Sequence, residues 1–191
     1  MQVLRRADYT QVRWKNGAGT SLEVATGGVP GAAFDWRVSF AHVEQPGRFS
    51  DYSGYQRVTV LVAGAGFSLR SPGSADLHFG QLGQWHAYAG SIPYSCELHA
   101  GPCWDLNLIA RQASGASMTV VVVAAGGLSL EGAPASRYLL PLVEPVVVHS
   151  GDASACLEPW DAAVIAPGES CRLFAGGVAQ HCSVAIAVIP A

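Results

Sequence analysis

Charge is scarce in this chain. Of its 191 residues only 13% are charged, about half the usual share. Lysine occurs once, as Lys15. Half the residues are hydrophobic, so the chain is folded rather than disordered, and it is long enough to bury a sizeable core. There is no basic run, and the formal net charge is −3. Nucleic acid and anionic membranes are therefore not expected partners. Long apolar runs are missing too. The longest, "MTVVVVAAGGLSL", is too short to span a bilayer, and the opening "MQVLRRADYT" has no apolar signal region. The five cysteines are odd in number and form no C-x-x-C. The expectation is a cytoplasmic protein with reduced thiols, most of them buried as small hydrophobes.

Several chemistries lack their residues. The six histidines, at 42, 78, 86, 99, 149 and 181, form no H-x-H or H-x-x-x-H. A metal site in a β-barrel often takes two histidines from alternate positions on one strand, so no metal and no cofactor is expected. No G-x-S-x-G nucleophile turn occurs. "HCS" sets His181 beside Cys182, but neighbours on a strand point to opposite faces. "GAGFSLR" lacks the Lys-Ser/Thr ending of a phosphate loop. No long amphipathic helix is visible.

What the chain does have is period two. In "FDWRVSFAHV", Phe34, Trp36, Val38, Phe40 and His42 share one face, and Asp35, Arg37, Ser39 and Ala41 the other. "CWDLNLIAR" alternates likewise, with Asp105, Asn107 and Arg111 on its polar side. Both read as half-buried strands. "RVTVLVA", "MTVVVVAA", "RYLLPLVEPVVVH", "DAAVIA" and "HCSVAIAVI" are β-branched and apolar, and read as more deeply buried strands. Gly and Pro interrupt at short intervals. The fold expected is all-β, a sandwich or barrel. A faint echo links "HAYAGSIPYSCEL" with "AAVIAPGESCRL": strand, turn, then Ser-Cys-x-Leu. It fits two similar β halves.

Ten of the eleven basic residues are arginine, whose planar fork matches a carboxylate. Arg37, Arg57 and Arg111 sit on or next to polar stripes. Such stripes either face water or line a barrel interior, where arginines would bind a carboxylate. Asp35 and Asp105 could instead neutralise them with no ligand at all. Near the start, "QVRWKNGAGTSLEVA" sets Lys15 between Trp14 and Asn16-Gly17-Ala18-Gly19. Asparagine and glycines permit positive φ and close backbone approach, as a tight turn or a ligand-binding loop needs.

Together "WKNGAGTSLEVA", "FDWRVSFAHVEQPGRFSDYSGYQRVTVLVAGAGFSL" and "GPCWDLNLIAR" resemble the HutD/Ves family. Trp14, Asn16, Gly17, Gly19, Thr20 and Glu23 match its first block. Trp36, Arg37, Ser39, Ala41, Val43, Gly47, Phe49, Ser50, Gly54 and Arg57 match its second, and Gly101, Pro102, Asp105, Asn107 and Arg111 its third. Ala18 stands where the family usually has a glycine, and Leu108 where it usually has Met. The match is specific to about residue 112.

The resemblance implies a bicupin, two cupin-type β-barrels in one chain without a metal motif, here divided as residues 1–112 and 113–191. It also implies a regulatory role in bacterial histidine utilisation, with a pocket for a small carboxylate such as N-formylglutamate or urocanate. The expected pocket residues are Lys15, Asn16, Arg37, Ser39, Arg57, Asp105, Asn107 and Arg111. Arginines would supply charge, and Asn16, Ser39 and Asn107 orientation. Trp14 would anchor the loop. A metal-independent enzyme with Asp105 or Asp35 as base and an interaction protein without ligand are the alternatives. Apolar faces in so hydrophobic a chain also make room for a homodimer.

Overall fold

A computed structural model of the protein describes residues 1–14, 19–30, 32–177 and 180–190. The all-β expectation holds. The described residues contain strands and two short 3₁₀ turns, Arg6–Asp8 and Gln112–Ser114. The first strands are β1 (Gln2–Leu4), β2 (Thr10–Arg13), β3 (Gly19–Gly27), β4 (Trp36–Val43), β5 (Gly47–Arg48), β6 (Tyr55–Ala63), β7 (Phe67–Arg70), β8 (Leu77–Phe79), β9 (Trp85–Ala89), β10 (Ser95–Leu98) and β11 (Cys103–Arg111). Then come β12 (Ser117–Ala124), β13 (Leu128–Leu130), β14 (Ala135–Pro141), β15 (Val146–Ser150), β16 (Ala153–Leu157), β17 (Ala162–Ile165), β18 (Cys171–Ala175) and β19 (His181–Pro190).

Two units result, one of Thr10–Gly115 and one of Met1–Tyr9 with Ala116–Ala191. The boundary lies at 115/116, near the expected 112/113, with the first nine residues exchanged into the C-terminal unit. The first nine residues belong with the C-terminal unit because β1 pairs with β17, Gln2 opposite Val164 and Leu4 opposite Ala162. Arg5 holds Asp161 at 2.6 Å, the Arg6 amide donates to the same carboxylate at 2.9 Å, and the Tyr9 hydroxyl donates to the Trp160 carbonyl at 3.0 Å.

In the N-terminal unit a six-stranded sheet, β2-β3-β4-β11-β6-β9, accompanies a four-stranded one, β5-β10-β7-β8. In the C-terminal unit the orders are β1-β17-β14-β19-β12 and β13-β18-β15-β16. Adding eight to each of β4–β11 converts the first pair of sheets into the second. Two copies of one eight-stranded unit therefore sit in the chain, with β2 and β3 added at one edge and β1 at another. The echoed Ser-Cys-x-Leu segments fall on the equivalent strands β10 and β18, and Cys96 and Cys171 are both buried. Each unit keeps its core between its own two sheets. Phe67, Leu69, Phe79 and Cys96 meet Val43, Leu61 and Cys103 in the first, and Val146, Val148 and Leu173 meet Leu139, Val184 and Ile186 in the second.

Some strand readings change. "RYLLPLVEPVVVH" is two strands, β14 and β15, separated by Leu142–Pro145. "MTVVVVAA" is not deeply buried. It forms β12 at the edge of its sheet, paired on one side only, with Val122 62% exposed. β4 and β11 are not half-buried either. Ser39 and Ala41 are as buried as Val38 and Phe40, and Asp105 and Asn107 as buried as Leu106 and Leu108.

The opening loop's residues Lys15 to Ala18 lie outside the described residues. Its flanks are held together, with the Trp14 amide donating to the Gly19 carbonyl at 3.0 Å. Gly19 is required by close approach: a Cβ there would be driven into the His42 carbonyl oxygen and lie 3.1 Å from the Trp14 ring. Because β3 is paired to β4 at this point, Gly19 opposite Val43, the backbone has little room to give. Gly19→Ala is expected to lower stability by about 1–3 kcal/mol, the usual cost of overpacking. Urea denaturation checks this, and an unchanged midpoint would contradict it.

Candidate ligand-binding site

Period two carries the site. In the N-terminal unit the inward positions of the central strands are Arg37, Ser39 and Ala41 on β4, Asp105, Asn107 and Ile109 on β11, and Arg57 on β6. All of them line one cavity of about 410 Å³. The register aligns them in rows: Ile109 lies between Arg37 and Arg57, and Asn107 between Ser39 and Thr59. Trp14, Ser21 and Glu23 line the cavity from β2–β3, and Phe49 and Tyr52 from the segment after β5.

Arg57 is 7% exposed and makes no ion pair with a carboxylate among the described residues. Its Nη2 donates to Asn107 Oδ1 at 3.1 Å. Its guanidinium carbon lies 4.9 Å from the Phe49 ring centre, 5.4 Å from that of Tyr88 and 5.6 Å from that of Tyr52. These cation–π contacts hold the guanidinium in place without neutralising it. Thr59 Oγ1 donates to the same Asn107 oxygen at 2.8 Å and sits 2.9 Å from the Tyr88 hydroxyl. With its oxygen so occupied, Asn107 turns its Nδ2 to donate to Asp105 Oδ1. Arg37 Nη2 donates to the Tyr52 hydroxyl at 2.8 Å, and its guanidinium lies 4.7 Å from the Phe34 ring centre.

Asp105 is 1% exposed. Loss of solvation pushes its carboxyl up to about 7, against the opposing pull of Arg57 and of the Asn107 hydrogen bond. The formal charge of the lining is four arginines (13, 37, 48 and 57) against two carboxylates (Glu23 and Asp105). The lining is therefore formally net positive.

Six of the eight expected residues are described, and five share the cavity: Arg37, Ser39, Arg57, Asp105 and Asn107. Lys15 and Asn16 lie outside the described residues. Arg111, expected with them, does not line the cavity. β11 ends there, and its side chain, 45% exposed, pairs with Asp35 at 3.1 Å. So Asp35 neutralises Arg111 rather than Arg37, in an exposed pair worth about 0–1 kcal/mol. Trp14 does line the cavity, its indole N–H donating to Ser21 Oγ at 2.8 Å. Sequence reasoning missed Thr59, Tyr88 and Tyr52. Thr59 lies two residues from Arg57, so the same alternation could have found it. Tyr52, in a turn, gives no periodic signal.

The other unit provides an internal comparison. Through the shared register, Arg57 corresponds to Arg137, Thr59 to Leu139, Asn107 to Ile186 and Asp105 to Val184. Arg137 is equally buried, but it donates Nη1 to the Glu131 carbonyl at 2.7 Å and Nη2 to that of Glu169. Leu139, Val184 and Ile186 join the core. The same architecture closes on itself in one unit and keeps a polar interior in the other.

No histidine or cysteine lines the cavity, and the described residues contain no group of three His, Cys, Asp or Glu able to hold a metal. The residues present do not fit a metal centre. Among the described residues no helix is long and apolar enough to cross a membrane.

A duplicated two-sheet β unit is the architecture of a bicupin, and among the described residues the N-terminal barrel carries this polar cavity lining. The chain belongs to the HutD family, whose model matches residues 6–183. An uncharacterized 21.2 kDa protein in the hutC 3′ region of Pseudomonas putida is 36% identical over 110 residues, 57% of each chain. The present chain thus spans little more than half the length of that curated relative. A conserved protein of unknown function from Pseudomonas aeruginosa PAO1 superposes with a TM-score of 0.85 at 30% identity, covering 100% of this chain and 98% of that one. HutD from Pseudomonas fluorescens SBW25 gives 0.82 at 26% identity, covering 100% and 99%. A cupin 2 conserved barrel domain protein from Leptotrichia buccalis gives 0.63 at 10% identity over 97% and 99%, a likeness of fold alone.

Proposed function

We propose that the N-terminal barrel binds a small carboxylate and that the protein is a metal-free regulator of histidine utilisation. N-formylglutamate and urocanate are the ligands to test first. One observation carries the reading: Arg57 is a buried guanidinium in a cavity, fixed by rings and an amide, with no counter-charge in contact among the described residues. An uncompensated buried charge is costly, and an anion supplied by the ligand offsets that cost. In the other barrel, where the interior is apolar, main-chain carbonyls hold the corresponding arginine instead. The HutD membership and the hutC-region relative support histidine utilisation as the setting.

Calorimetry with N-formylglutamate and with urocanate tests the reading. Wild type is expected to bind at least one of them. Arg37→Met should weaken that binding by about 1.5–3 kcal/mol, the range for a hydrogen bond to a charged group. Absence of binding to wild type, or equal binding by both proteins, would return these arginines to a purely structural role.

A further inference from the structure

We infer that the carboxylate enters this cavity together with one proton, which Asp105 takes up from solvent and donates as a hydrogen bond to a ligand oxygen. This deepens the carboxylate-site reading and rests on it. Asp105 then ties ligand affinity to pH.

Three observations carry the inference. First, Asp105 lines the same cavity as Arg37 and Arg57, at 1% exposure. Its one hydrogen bond among the described residues comes from the side chain of Asn107. A second carboxylate placed against those arginines would share the cavity with the buried Asp105 carboxyl. A like charge in the same site disfavours the ionised form of a buried carboxyl, so binding favours a proton on Asp105. Second, the fold does not require an acid here, because Val184 occupies the equivalent place in the C-terminal barrel. Third, the acid is already poised. Burial pushes its carboxyl up to about 7 in the free protein, so near neutral pH a proton costs little to place.

The surrounding groups leave Asp105 as the one to titrate. Arg57 on β6 is a fixed cation. Tyr88 on β9 is raised above its ordinary value by burial, as are Cys96 on β10 and Cys103 on β11, both pushed up to about 12. These three stay neutral around pH 7. Arg37 on β4 and Glu23 on β3 line the same cavity, and Arg13 on β2 and Arg48 on β5 are exposed at it. Glu23 is thus the other carboxyl to control for.

The sign follows from linkage. A bound anion adds negative charge and engages Arg57, whose field lowers the Asp105 carboxyl in the free site. Both effects raise it further on binding. Affinity is therefore full below about pH 7 and falls as pH rises above it, by about tenfold per unit at the limit.

Calorimetry with N-formylglutamate tests this, since the probe has no group of its own titrating between pH 6 and 8. Titrations run at pH 6, 7 and 8, in HEPES and in Tris at the upper values, whose different ionisation heats reveal proton exchange. Wild type should take up close to one proton per ligand at pH 8 and lose affinity from pH 7 to 8. Asp105→Asn should bind without proton uptake and with pH-independent affinity. Asp105→Val, copying the other barrel, should also show no uptake, and serves if the amide variant folds poorly. Glu23→Gln, whose affinity can change because it lines the cavity, should still take up the proton per ligand bound. Wild-type binding without proton uptake overturns the inference and leaves the carboxylate site standing, as does uptake that survives in Asp105→Asn or disappears in Glu23→Gln. No binding at any pH overturns both.

Discussion

Arg57→Met is expected to raise the Kd for N-formylglutamate by roughly 30-fold to several thousand-fold, about 2–5 kcal/mol, and to leave the fold intact. The size follows from burial. At 7% exposure the guanidinium is out of reach of solvent screening, so a ligand carboxylate meets it at close to full strength. The fold survives because the arginine lacks an ionic partner among the described residues. Methionine also fills the space between Phe49, Tyr52 and Tyr88 with a polarisable chain that packs well on rings. Arg111→Met provides the contrast. That arginine is exposed and bound to Asp35, so its loss should change affinity less than twofold, well under 1 kcal/mol. Calorimetry paired with thermal melting checks both variants. Unchanged affinity in Arg57→Met would remove the cavity's central residue from the binding account, and a large effect from Arg111→Met would mean that the wrong arginine was chosen.

The contrast between these two arginines shows what alternation along a strand can and cannot reveal. Period two placed Arg37 with Ser39 on one side of β4 and Asp105 with Asn107 on one side of β11, because successive side chains on a strand point to opposite sides. It could not say whether that face met water or a barrel interior, since both demand polar residues. Nor could it tell where a strand ends. Arg111 has the same parity as Asp105 and Asn107, yet it is the last residue of β11, beyond the cavity. Ring contacts were out of reach as well. Tyr52 and Tyr88 lie on either side of Arg57 in the chain and meet it only after folding. The duplication was legible as Ser-Cys-x-Leu at two places, but its full extent depends on strand order, which side-chain patterning alone does not encode.

Phe67→Ala should be the most damaging of the substitutions considered, costing about 3–5 kcal/mol of stability. Phe67 is fully buried and stacks on Phe79 with ring centres 4.4 Å apart. Its removal deletes a large apolar side chain from the core this unit keeps between its sheets, and β-sheet backbone on both sides limits collapse into the void. A second effect follows. Phe67 also touches Phe49, centres 6.2 Å apart, and Phe49 is the ring nearest the Arg57 guanidinium. Loosening the core should therefore weaken carboxylate binding even at temperatures where the variant is folded. Urea unfolding gives the first quantity and calorimetry the second. A stability loss below about 1 kcal/mol would mean that the site refills on truncation. Phe67→Leu, closer in volume, is expected to recover most of both.

The pairing of β1 with β17 has a consequence for the order of events on the ribosome. Gln2–Leu4 emerges about 160 residues before Ala162–Val164, the strand it joins. Thr10–Gly115, by contrast, contains all of its own sheet partners and can close while the rest of the chain is still being made. β1 thus waits for a partner made much later in the chain. Its closure spans a large sequence separation for three residue pairs, so the entropy of closing that loop, more than the strength of the pairs, is expected to set when β1 docks on the C-terminal barrel.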